Sequence, residues 1–133
     1  MQRLALTALL VREYDEAIDF YVRQAGFELV EDTDMGGGKR WVVVRPRGSQ
    51  GGLLLAQAVG DQARAVGDQS GGRVFMFLET DDFAGDHARM TAAGVRFLEA
   101  PRQEPYGIVA VFEDLYGTRF DLIQRAAEPA GPR

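Results

Sequence analysis

The sequence predicts an α+β fold built from two βαβββ modules, and three observations carry that expectation. Apolar runs of strand length alternate with two stripes of helical period. The order of elements in residues 4–58 recurs in residues 73–126, as a duplicated architecture would require. The chain has 133 residues, 46% of them hydrophobic and 26% charged, the size and balance of one globular unit.

The elements follow in order. Leu4–Val11 (LALTALLV) is apolar throughout, which predicts a strand covered on both faces. In REYDEAIDFYVRQAGF, Tyr14, Ala17, Ile18, Tyr21, Val22 and Ala25 form a helix stripe. Glu13, Asp15 and Glu16 suit the positive end of its dipole, and Gly26 suits its left-handed stop. Strands are expected around Phe27–Glu31, at Arg40–Arg45 after the Gly36–Gly38 turn, and at Leu53–Ala56 after the loop PRGSQGG.

Residues 59–72 read as a linker in which VGDQ occurs twice; a helical turn or a subunit-contact segment is the alternative to the expected solvated loop with a chance echo. The second module repeats the first. A strand at Arg73–Glu79 leads to a helix at Asp82–Ala93, with Thr80 or Asp81 at its cap and Gly94 at its end. Strands follow at Val95–Glu99, at Ile108–Glu113 after the loop PRQEPYG, and at Arg119–Gln124 after the turn DLYG. Residues 127–133 are expected to be a flexible tail.

Composition excludes several functions. There is no cysteine, hence no disulfide, thiolate zinc site or cysteine nucleophile. The net charge is −5 with no basic stripe, which argues against nucleic acid as a partner. No apolar run reaches the roughly 20 residues of a membrane helix, and the first residues lack a signal-peptide pattern. A cytoplasmic location without membrane attachment is expected. The glycine clusters Gly36–Gly38 and Gly71–Gly72 have neither spacing that cradles phosphate.

Three stretches together resemble the vicinal oxygen chelate superfamily, the glyoxalase, bleomycin resistance protein and extradiol dioxygenase relatives. REYDEAIDFYVRQAGFELV resembles the first module of that family and GGRVFMFLETDDFAGDHARMTAAGVRF the start of its second. EPYGIVAVFEDLYGTRFDLIQ resembles its closing segment, with a Phe-x-Asp-x-x-Gly pattern. The resemblance implies two curved half-barrels around a cavity, and commonly a homodimer. In metal-dependent relatives four strand positions supply His and Glu ligands. Here they fall on Leu6, Leu54, Phe75 and Asp121, of which only Asp121 offers a donor. A divalent transition ion needs about three such protein ligands, so the usual site is expected to be lost.

Period-2 alternation then groups the candidate site. Phe75, Phe77 and Glu79 share one strand face, and Arg119, Asp121 and Ile123 share another; Leu4, Leu6, Ala8 and Leu10 are placed opposite. Such a pocket is apolar with a few charges at its rim, as small-molecule sites usually are. Asp121 is the candidate acid–base or counter-charge, unless Arg119 simply pairs with it, and Glu79 is its candidate partner. Tyr106, fixed between Pro105 and Gly107, is placed like an aromatic lid, and Trp41 could stack on a flat ligand. His87, the one histidine, lies on an apolar helix stripe with Phe83 and Met90 and reads as structural.

The function expected is binding of a small apolar or amphipathic molecule without a cofactor. The alternative is a lyase or dioxygenase-type enzyme, in which Asp121 and Glu79 serve as an acid–base pair or hold a reduced metal site completed by substrate. A third possibility is an interaction module whose cavity is filled by Phe75 and Phe77.

Overall fold

In the computed structural model, which describes residues 1–127, the chain forms two mixed sheets, each backed by a helix. The expected tail, residues 127–133, lies outside the described residues except for its first position. The first sheet has the order β1-β4-β3-β2, with β1 Leu6–Val11, β2 Glu28–Gly36, β3 Lys39–Arg45 and β4 Gly52–Gln57. The second has the order β5-β9-β8-β6, with β5 Met76–Glu79, β6 Arg96–Phe97, β8 Gly107–Glu113 and β9 Arg119–Arg125. A short strand β7, Arg102–Glu104, pairs with β8. In both sheets the first strand of the module runs parallel to the last (Leu6↔Gly52, Phe77↔Asp121).

The first helix is not regular. Its α-helical part, α1, spans Tyr14–Asp19 and continues as a π-helical turn at Phe20–Gln24, closed by Ala25 N–H to Phe20 C=O at 2.9 Å. The extra residue in the turn changes which side chains face inward. Phe20, absent from the sequence-derived stripe, is 4% exposed beside a fully buried Tyr21. Helix α2 spans Phe83–Ala92. Its cap is Asp82 rather than Thr80 or Asp81: the Asp82 carboxylate accepts from Gly85 N–H at 3.1 Å. Thr80 supports the cap by accepting from Asp82 N–H and donating to Asp86.

One core joins the modules. Leu9, Val11, Val42, Val44 and Leu55 of the first sheet and Phe112, Phe120 and Leu122 of the second belong to the same buried cluster as the helix side chains. The expectation that β1 is covered on both faces is corrected. Leu9 and Val11 are buried, whereas Leu6 and Ala8 are exposed, because the helix covers one side of the sheet only. Leu4 lies before the strand and is fully exposed.

Other boundaries shift for local reasons. β2 is longer than expected because it pairs with β3 down to the Gly36–Gly38 turn, through two register irregularities. The strand expected at Arg73–Glu79 shortens to Met76–Glu79, and the loop PRQEPYG folds back as β7 and a two-residue turn onto β8. In the linker the helical-turn alternative holds in place of the solvated loop. Gly60–Ala65 is a 3-10 helix, and Gln69 lies on the free edge of β1.

Candidate functional site

The site begins at the seam between the modules. A cleft of about 620 Å³ is walled on one side by Leu4–Thr7, at and just before the start of β1. Met76–Glu79 of β5 form the other side, and the β3–β4 loop with Phe27 and Phe120 completes it. Its surface is mainly apolar. Two charged side chains reach it, Glu79 from β5 and Arg47 from the loop. Phe77, 65% exposed, and Leu6, 43% exposed, present hydrocarbon to it that a folded chain would ordinarily cover.

Register assigns the remaining candidates to faces. Leu54 sits opposite Ala8 and beside Val43, which places it on the same open face of the first sheet as Leu6. Trp41, two positions from Val43, lies on that face near the outer strand, opposite Thr33. Asp121 sits opposite Phe77 and Val111 on the open face of the second sheet, where Glu79 pairs with Ile123. Phe75 donates its N–H to Arg119 C=O, and its ring meets Phe120 edge-on at 6.1 Å. Thus Leu6, Phe77 and Glu79 come together in the cleft. Leu54, Trp41, Phe75, Asp121, Arg119 and Tyr106 do not line it.

Asp121 is not paired by Arg119. Arg119 instead donates to Gly72 C=O at 3.1 Å, and it lines a smaller groove with Val74, Leu98 and Val111. Among the described residues, Oδ1 of Asp121 is buried without a hydrogen-bond partner. Burial raises its carboxyl above the usual aspartate range; the Arg102 charge opposes the rise and Glu99 adds to it. Arg102 itself is engaged by Glu99 at 2.8 Å and Glu104 at 3.0 Å. Glu99 is held below its ordinary range by that guanidinium, and it also accepts from Val111 N–H.

Tyr106 stands at the β7–β8 turn, 48% exposed, with its carbonyl accepting from Ala126 N–H. His87 lies between two rings, stacked on Phe83 at 5.6 Å and tilted against Phe97 at 4.2 Å.

The donor set does not fit a divalent ion at the four family positions. Leu6, Leu54 and Phe75 carry no donor atom, and a lone carboxylate gives too few ligands. Among the described residues no group of three or more His, Asp or Glu side chains is placed to hold a metal elsewhere. No helix of the described residues is long and apolar enough to cross a membrane.

Sequence reading missed Arg47, Met76 and the PRGSQGG loop as walls of the cleft. Proline and glycines at a strand connection were the available signal. It also missed Gln69, although the repeated VGDQ pointed at the linker.

Comparison with known proteins places this geometry. A protein of Shewanella frigidimarina is 53% identical over 126 residues, covering 92% of this chain and 93% of that protein. The crystal structure of UcmS2 is similar with a TM-score of 0.81 and 27% identity, covering 92% of this chain and 98% of that one. TnmS3, an antibiotic binding protein from a Streptomyces species, is similar with a TM-score of 0.78 and 30% identity, covering 95% of this chain and 98% of that one. The model of the Glyoxalase/Bleomycin resistance protein/Dioxygenase superfamily matches residues 3–122, and the chain belongs to that superfamily.

Proposed function

We propose that this protein binds a small apolar or amphipathic molecule at the seam between its modules, without the divalent ion used by metal-dependent relatives. The observation that carries this reading is the cleft of about 620 Å³, mainly apolar, which two charged side chains, Glu79 and Arg47, reach. The leucine and phenylalanine at three of the four family ligand positions support it. So does the similarity to TnmS3, which is described as an antibiotic binding protein. The exposed hydrocarbon of Leu6 and Phe77 further supports a homodimer in which the open sheet faces are covered.

The test is thermal stability and metal content of the purified protein. A ligand that binds only the native state raises stability by mass action. Stabilisation by an anilinonaphthalenesulfonate dye, with no stoichiometric metal and no shift on adding Ni²⁺, Zn²⁺, Mn²⁺ or Fe²⁺, is the expected result. Stoichiometric metal that disappears in Asp121→Ala would overturn it. That outcome would favour the enzyme reading, for which the buried, unpartnered Oδ1 of Asp121 is the specific support.

A further inference from the structure

We propose that the molecule held in the seam cleft is peptide-like, and that its amides pair with the unpaired main-chain edges of β1 and β5. The inference rests on the binding reading above and specifies its chemistry. Among the described residues, β1 has one strand neighbour, β4, and β5 has one, β9. Each strand therefore has a second edge whose N–H and C=O groups lack a ladder partner.

Hydrogen bonds fix which residues those are. Ala5 C=O and Val11 C=O accept from β4 and the residue after it, Gly52 and Ala58. A parallel strand alternates its bonding side residue by residue, so Leu6, Ala8 and Leu10 turn to the free edge. On β5, Thr80 N–H goes to Ile123 of β9, and with Phe77 registered on Asp121 and Glu79 on Ile123 the same alternation turns Phe77 and Glu79 away from β9. Leu6, Phe77 and Glu79 are all residues of the cleft wall.

The chain already holds one amide on this edge. The Gln69 side chain accepts from Leu10 N–H at 2.8 Å and donates to Ala8 C=O at 2.7 Å. That two-point pairing is the one a residue of a parallel strand makes through its own N–H and C=O. Gln69 occupies the upper positions of the edge, and Leu6, two residues before Ala8, carries the next free N–H and C=O. The side chains that border it, Leu4, Leu6, Phe77 and Leu53, suit a ligand whose amides alternate with hydrocarbon. Glu79 at the end of β5 would meet a basic group on such a ligand.

The probe is an N-acetylated, C-amidated tripeptide of leucine and phenylalanine, compared with its backbone N-methylated counterpart. The two carry similar hydrocarbon, and the second lacks the donors. On the unmodified protein, calorimetry is expected to give about tenfold weaker binding for the N-methylated form, the size of one lost hydrogen bond to a buried acceptor. Binding of the parent should move the backbone amide resonances of Leu6 and Phe77. In Gln69→Ala, which frees Leu10 N–H and Ala8 C=O, a blocked pentapeptide should bind more tightly than it does to the unmodified protein.

Equal affinity of the two tripeptides, or tight binding of the anilinonaphthalenesulfonate dye with no binding of either peptide, overturns the amide-pairing proposal and leaves the binding function standing. If neither dye nor peptide binds, both readings fall.

Discussion

The Tyr21 hydroxyl donates to Asp114 Oδ2 at 2.7 Å across 93 positions of sequence, joining the helical segment of the first module to the β8–β9 turn of the second. The other oxygen of Asp114 accepts from Tyr116 N–H and Thr118 N–H, each at 2.9 Å, and so closes the turn. Tyr116 returns the contact by donating to Glu16 at 2.6 Å. Burial raises the Asp114 carboxyl, against the pull of the donors from Tyr21 and the turn. Tyr21→Phe would leave Asp114 Oδ2 buried without that donor. The expected loss is about 1–3 kcal/mol in urea unfolding with an unchanged m-value. A loss below about 0.5 kcal/mol would mean that water replaces the phenol.

Asp121 titrates above the ordinary aspartate range because burial disfavours its charge. A carboxyl raised by folding favours the native state while protonated, and that advantage is lost as pH rises through its folded value. Asp121→Asn is therefore expected to gain stability relative to the parent as pH rises from the unfolded aspartate range to neutrality. Carbon-detected NMR titration of the side chain should place the midpoint above the ordinary value. A midpoint at or below that value would contradict the placement of its unpartnered oxygen.

Gln69→Ala removes the two hydrogen bonds on the β1 edge. Water can reach part of this edge, so the expected cost is about 1 kcal/mol. Leu10 N–H should exchange with deuterium faster under native conditions, while Leu9 N–H, on a fully buried residue whose N–H faces β4, should change little.

Gly67 takes φ +81°, and a Cβ built there would collide with the Tyr116 backbone carbonyl. Gly67→Ala combines a left-handed backbone penalty with a clash that a rigid turn cannot relieve, and should cost more than about 2 kcal/mol. Gly38→Ala is the control. It also has positive φ but meets nothing within 4 Å, so it should cost about 1 kcal/mol. Equal thermal midpoints for the two variants would remove the packing argument.

The modular order was legible because hydrophobic periodicity carries it. LLLAQ and FDLIQ announced the closing strands, and Gly26 and Gly94 the helix ends, both with positive φ. What stayed hidden depended on partners distant in sequence. An all-apolar β1 does not reveal that its Leu6 face lies open. Nothing local in YDEAIDFYVRQ marks the π turn that draws Phe20 inward. The candidate site was partly legible for a similar reason. Alternation grouped Phe77 with Glu79, but the loop that walls the cleft comes from another strand connection, and Gln69 reaches β1 across 59 positions.

The alternation of buried and open faces along each strand also separates two kinds of inheritance. Leu9, Val11, Leu55, Phe120 and Leu122 hold the core, while Leu6, Ala8, Leu54, Phe77 and Asp121 occupy the intervening positions on the open faces. A lineage can therefore rewrite every second residue, exchanging metal donors for hydrocarbon, while the residues between keep the same scaffold standing. Such a chain can change its chemistry by single steps, without passing through an unfolded ancestor.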